Sequence, residues 1–163
     1  IDKVYDFLDE QQNIKSFFIE IGGEIRSTSL KSNDQPWKAG IVNPSDQDKI
    51  IYTFLSSSFD SFALATSGAY RNVRILNEKE FSHTMNTFSG LPSSFSKKSV
   101  TVISENAMKA DALATALNAM KLEQAINYSN KEGIKALFIT EIEGQTKLLF
   151  SVCLLYTSPS PRD

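Results

Sequence analysis

The sequence predicts a single α+β domain: a largely antiparallel sheet with two or three helices packed on it. Three observations carry this. The chain has 163 residues, enough for one domain with a real core. Apolar runs of strand length follow one another, separated by short turn-forming stretches, as in Ile50-Ile-Tyr-Thr-Phe-Leu55 and Ser61-Phe-Ala-Leu-Ala-Thr66. Against these stands a fifteen-residue stretch, Asn106 to Met120, with six alanines and no glycine or proline.

That stretch is the strongest helix in the chain. Ser104 or Asn106 can cap its start, and Ala110, Leu113, Ala114, Leu117 and Met120 recur at helical spacing as a buried face. Asp111 and Thr115 are four apart, so a carboxylate and a hydroxyl lie one above the other among small side chains. With the second lone pair of the Ala114 carbonyl, they form an all-oxygen set suited to a hard cation such as Mg²⁺ and to phosphates that it carries. A structural account is also open: Asp111 favours the N-terminal half of a helix through the macrodipole, and Thr115 is tolerated.

The other elements follow in order. Ile1, Val4, Phe7 and Leu8 predict one face of an opening helix ending near Gln12-Asn13. Ser16-Phe-Phe-Ile-Glu-Ile21 reads as a buried strand, broken by Gly22-Gly23 before a second extended piece, Glu24 to Thr28. Paired glycines there imply a hairpin bend, or a backbone left bare so that a flat ligand or phosphate can approach. Trp37 to Val42 is the next strand, closed by Asn43-Pro44. After the two runs already quoted, Thr66-Ser67-Gly68-Ala-Tyr-Arg71 is expected to interrupt the sheet as a loop. It would offer backbone N–H groups and a guanidinium to a phosphate, or simply end a strand.

Asn72 to Leu76 and Glu80 to His83 read as a hairpin. His83 is the only histidine; at a strand end it can serve as a general base toward a hydroxyl nucleophile, or be structural. Ser99 to Ile103 is the strand before the alanine-rich helix, and Leu122 to Glu132 is a further helix stopped by Gly133. Ile134 to Thr140 and Thr146 to Val152 form a terminal hairpin about Glu143-Gly144-Gln145. Residues 154–163 turn Ser/Pro-rich. They are expected to be a non-native tail, leaving 1–153 as the domain.

Seventeen basic and nineteen acidic residues give a net charge of −2, and no basic block or aromatic-basic interleaving supports nucleic-acid binding. The single cysteine, Cys153, excludes an internal disulfide and a cysteine-based zinc site, which suits a cytoplasmic protein or a periplasmic one without disulfides. No apolar run approaches a membrane span. The chain opens on Ile1-Asp2-Lys3-Val4 without an initiator methionine, as though cut into a helix, so an upstream segment is expected.

Taken in sequence, Ile1-Asp-Lys-Val4, Ile19-Glu-Ile-Gly-Gly-Glu-Ile-Arg26, Pro36-Trp-Lys-Ala-Gly-Ile-Val-Asn-Pro44, Ala65-Thr-Ser-Gly-Ala-Tyr-Arg71, Ser82-His83 with Ser89-Gly-Leu-Pro92, and Ser99-Val-Thr-Val-Ile103 with Ala110-Asp-Ala-Leu-Ala-Thr-Ala116 resemble the ApbE family of FAD:protein FMN transferases. The match covers about residues 1 to 150. The resemblance implies a T-fold-like domain, incomplete here, because in the family the preceding segment supplies another metal ligand and much of the FAD pocket. It implies Mg²⁺-dependent transfer of FMN from FAD to a threonine of an acceptor flavoprotein, with release of AMP. Asp111, Thr115 and the Ala114 carbonyl would hold the metal, His83 would deprotonate the acceptor threonine, and the backbone around Met85 would touch the flavin nucleotide. Gly22, Gly23, Thr66, Ser67 and Gly68 are candidates for the cofactor side. The acceptor would be a subunit of a membrane redox complex. Such proteins are commonly periplasmic lipoproteins, held to the inner membrane by a lipid anchor upstream of residue 1. A Mg²⁺-dependent FAD pyrophosphatase giving FMN and AMP, or a non-catalytic flavin-binding module, are the alternatives.

Overall fold

The computed structural model describes residues 1–68, 73–76, 79–82 and 97–157. Its elements in chain order are α1 (Asp2–Asp9), β1 (Phe18–Ile21), β2 (Glu24–Ser27), β3 (Lys38–Asn43), β4 (Asp46–Leu55), a 3₁₀ turn (Ser56–Ser58) and β5 (Phe62–Gly68). There follow β6 (Val73–Leu76), β7 (Lys79–Ser82), β8 (Lys97–Ser104), α2 (Ala107–Ala119), α3 (Leu122–Lys131), β9 (Lys135–Ile142), β10 (Gln145–Phe150) and α4 (Val152–Thr157). Six strands form one sheet in the order β1-β2-β5-β8-β9-β10, and every pair in it is antiparallel. The pairs β3-β4 and β6-β7 are separate hairpins. The fold is α+β as expected, with four α-helices among the described residues rather than two or three.

Strand alternation divides the core into two faces. Leu64, Ile103, Leu137 and Ile139 point to one side, where Ala39 and Ile41 of β3 and Phe54 of β4 cover them. Val100, Val102, Ala136 and Phe138 point to the other, beneath Ala114 and Leu117 of α2 and Ala125 of α3. The two inserts that link sheet strands therefore lie on opposite faces: the β3-β4 hairpin between β2 and β5, and the α2-α3 pair between β8 and β9. The alanines of α2 let that helix sit close to the sheet, over a strand that carries Ala63 and Ala65 with no exposed surface.

The turns follow their residue chemistry. Ile21 pairs with Glu24 across a two-residue turn in which Gly22 (φ 71°) and Gly23 (φ 101°) both take positive φ. That geometry suits the twist of a hairpin and favours glycine. Ile142 and Gln145 close the same way around Glu143 and Gly144. Gly133 (φ 65°) ends α3, and the Ile134 N–H donates back to the Ser129 carbonyl at 2.8 Å.

Three elements differ from expectation. The expected inward face of α1 is rotated: Ile1, Tyr5 and Leu8 are half-buried, while Val4 and Phe7 are 43% and 63% exposed. Tyr5 is drawn in by an edge-to-face contact with Phe17 and by Arg26 over its ring, 3.8 Å from the centroid. β1, expected as a buried strand, is a sheet edge in which only Ile19 is buried. Leu154, which falls in the stretch set aside as a tail, belongs to the core. α4 begins where the Val152 N–H donates to Asn130 Oδ1 (2.8 Å), and Leu154 is fully buried beside Leu137 and Ile139. Leu154→Ala is therefore expected to cost roughly 2–3 kcal/mol, read as a lowered denaturation midpoint; an unchanged midpoint would exclude α4 from the cooperative fold. Among the described residues no helix is long and apolar enough to cross a membrane.

Candidate metal centre

The site begins at the corner between β8 and α2. Asn106 is in extended conformation (φ −147°, ψ 160°), and its Oδ1 accepts from the Lys109 N–H at 2.8 Å, so Asn106 rather than Ser104 is the N-cap. The next two first-turn N–H groups are satisfied from far away in sequence. Ala107 N donates to Asp2 Oδ1 and Met108 N to Asp2 Oδ2, each at 2.9 Å. The Arg26 guanidinium, on β2, donates to Asp2 Oδ1 at 2.7 Å and lies 3.6 Å from Asp6 Oδ1. One carboxylate of α1 thus joins the start of α2 to the second strand of the sheet.

Partial burial by itself pushes the Asp2 carboxyl up. The two backbone donors and Arg26 together outweigh it and hold the group below the usual carboxylate range. A lowered folded value means that the clasp contributes fully above the pKa of an unfolded aspartate, about 3.9, and is lost as pH falls through the lower folded value. The acid limb of a stability-against-pH curve is accordingly expected to be shallower in Asp2→Asn than in the parent. Superimposable acid limbs would show that Asp2 does not carry this linkage.

One turn further along α2, Asp111 and Thr115 are exposed, whereas Ala114 is fully buried and contributes its side chain to the sheet packing. Asp111 borders an open hollow of about 290 Å³ between α2 and the β1-β2 turn, with Ile21, Glu24, Met108 and Asp2 around it. Its lining holds three carboxylates and no lysine or arginine. The Asp111 carboxylate and the Thr115 hydroxyl are hard oxygen donors, so the exposed side of α2 fits Mg²⁺ in kind. No cluster of three His, Cys, Asp or Glu side chains that could hold a metal occurs among the described residues.

The remaining candidates fall in three places. The Gly22-Gly23 turn joins Ile21 to Glu24, which both line the Asp111 hollow; the hairpin itself accounts for both glycines. Gly23 also meets Thr66 in a small hollow of about 70 Å³ over the opposite face of the sheet. Thr66, Ser67 and Gly68 are not a loop: they continue β5, opposite Thr101, Val100 and Ser99. Small residues pair there as readily as large ones, and β8 supplies the partner backbone. Thr66 Oγ1 lies 2.8 Å from Thr101 Oγ1, and Ser67 Oγ accepts from Asn118 Nδ2 at 3.3 Å across the other face. Their hydroxyls therefore point to opposite sides and do not form one cradle. His83 and Met85 lie outside the described residues, just beyond the end of β7 at Ser82.

Asp2, Arg26 and Asn118 are the residues that sequence reading did not single out. Asn118 shares the buried side of α2 with Leu117 and is 4% exposed; its only sequence signal is its spacing of four from Ala114. For Asp2 no local signal exists.

Comparison with known proteins identifies the family. The model of the ApbE family matches residues 1–138. An FAD:protein FMN transferase of Vibrio cholerae is 33% identical over 143 residues, covering 88% of this chain and 42% of that protein. The Escherichia coli K12 protein of the same name is 31% identical over 134 residues, with 82% and 38% covered. The apo structure of the Pseudomonas stutzeri flavinyl transferase ApbE superposes with a TM-score of 0.81 at 26% identity, covering 97% of this chain and 48% of that one. The chain spans about two-fifths to half the length of the relatives it matches. The order and spacing of the motifs, the antiparallel sheet with α2 across it, and these matches together place the chain in the ApbE family.

Proposed function

We propose that the chain is part of a Mg²⁺-dependent FAD:protein FMN transferase. The acceptor threonine oxygen attacks the FMN phosphorus of FAD, the P–O bond to AMP breaks, and AMP leaves. The observation that carries this is the exposed oxygen face of α2, Asp111 with Thr115, on a chain whose relatives bear that name. The acidic lining of the adjoining hollow supports metal dependence, since a diphosphate brought there unaccompanied would face like charge.

Each residue has a role in this reading. Asp111 provides the anionic ligand, with the Thr115 hydroxyl and the Ala114 carbonyl as neutral ones. His83 takes the proton of the acceptor threonine, and the backbone near Met85 borders the flavin nucleotide. The β1-β2 turn, free of side chains at Gly22 and Gly23, leaves room at the edge of the hollow. Bound Mg²⁺ would supply charge neutralisation on the diphosphate oxygens. The acceptor is a flavoprotein subunit of a membrane redox complex, and the enzyme works on the periplasmic side, anchored through a lipid.

The test is to incubate the complete gene product with FAD, Mg²⁺ and a candidate acceptor subunit. Covalent, fluorescent flavin on the acceptor with one AMP per flavin is the expected result. Free FMN with AMP would make the enzyme an FAD pyrophosphatase, and intact retained FAD would make it a flavin-binding module.

A further inference from the structure

We infer that Asp2 is a positioning residue for the metal face of α2, acting through the first turn of that helix; the inference rests on the transferase reading above. Both of its oxygens are already committed. Oδ1 accepts from Ala107 N (2.9 Å) and Arg26 (2.7 Å), and Oδ2 from Met108 N (2.9 Å). So engaged, Asp2 is poorly placed to coordinate a cation, although it borders the same hollow as Asp111. What it does is join the two walls of that hollow. One wall is α2. The other is the β1-β2 hairpin, to which Arg26 belongs and from which Ile21 and Glu24 face Asp111.

The geometry makes this a sensitive connection. Met108 is three residues before Asp111, about 4.5 Å along the helix axis at 1.5 Å per residue. A shift of the first turn is therefore passed almost undiminished to the Asp111 carboxylate. Arg26 is itself fixed, stacked 3.8 Å over the Tyr5 ring and 3.6 Å from Asp6, so the clasp has one preferred pose. Two-point acceptance from consecutive N–H groups sets the tilt of α2 as well as its distance from β2, which a single cap such as Asn106 cannot do. Outer-shell groups that orient ligands change metal affinity by roughly 10–100-fold when removed.

The experiment compares Asp2→Asn, Asp2→Glu and Asp111→Asn in the complete gene product. Mn²⁺ affinity is measured calorimetrically without FAD, beside the Mg²⁺ dependence of FMN transfer. Asp2→Asn keeps one acceptor but turns an amide donor toward a helix N–H. It is expected to weaken Mn²⁺ binding and raise the half-saturating Mg²⁺ concentration by about 10-fold, with FAD affinity changed less than about twofold. Asp2→Glu should restore part of the loss. If Asp111→Asn abolishes Mn²⁺ binding while Asp2→Asn leaves it unaltered, the positioning role is overturned and the metal reading stands. Should Asp111→Asn also leave Mn²⁺ binding and transfer unaltered, the metal reading fails and takes the inference with it. Where Asp2→Asn does not fold, Arg26→Lys is read instead: it retains charge beside Asp2 but not the planar fork over Tyr5, and parental Mn²⁺ affinity in that variant is the overturning result.

Discussion

Asp111→Asn is expected to lower FMN transfer at a fixed, near-saturating Mg²⁺ concentration by roughly 100-fold, the scale on which a single charge-stabilising group matters in a reaction of this kind. The substitution preserves side-chain volume and removes one negative charge. Because Asp111 is exposed on α2 and makes none of the buried contacts of that helix, stability should move by no more than about 0.5 kcal/mol. The loss should therefore appear in the metal dependence: the Mg²⁺ concentration for half-maximal rate rises, and excess Mg²⁺ recovers part of the activity. A Mg²⁺ titration read by flavin fluorescence on the acceptor, together with a thermal melt, separates the cases. Parental rate and parental Mg²⁺ dependence would remove Asp111 from the site. A lost rate with a melt lowered by many degrees would mean that the carboxylate serves the helix and not a cation.

How much of this was legible depended on whether the decisive contact is local. The span of α2 follows from helix propensity and from Asn106 three residues before Lys109. The Gly22-Gly23 turn and the end of α3 at Gly133 follow from backbone preferences that act within a few residues. The spacing of Asp111 and Thr115 is likewise a property of one helix. Other features depend on where a second element lands. Asp2 reaches Ala107 across 105 residues, and nothing near either position announces the pairing. The face of α1 turned inward is decided by Phe17 and Arg26 on other elements, so its own apolar period named Val4 and Phe7 while Tyr5 was taken in. Thr66, Ser67 and Gly68 read as a loop because small polar residues usually end strands, yet β8 offers them a partner and the strand continues. Leu154 was set aside with the Ser/Pro-rich residues that follow it; its partners, Leu137 and Ile139, lie on β9, out of reach of any local signal.

His83→Ala is expected to reduce FMN transfer by about 10²–10⁴-fold, the usual contribution of a general base, while FAD still binds. The expectation separates two kinds of loss. If His83 removes the proton from the acceptor threonine, the variant holds the dinucleotide and the metal as before, and FAD fluorescence titration gives an affinity within a few-fold of the parent. Only the attack step is then slowed. A small imidazole added to the solution should restore part of the rate, because it can accept the same proton without being attached to the chain. If instead His83 contacts the nucleotide, affinity and rate fall together, and added imidazole changes neither. The acceptor offers a second discrimination. A protein substrate whose threonine is replaced by serine presents a hydroxyl of similar acidity, so with parental enzyme it should still be flavinylated to some degree, and with His83→Ala it should lose rate by the same factor as the threonine substrate. Unequal factors would mean that His83 contributes to recognising the threonine methyl group rather than to moving its proton.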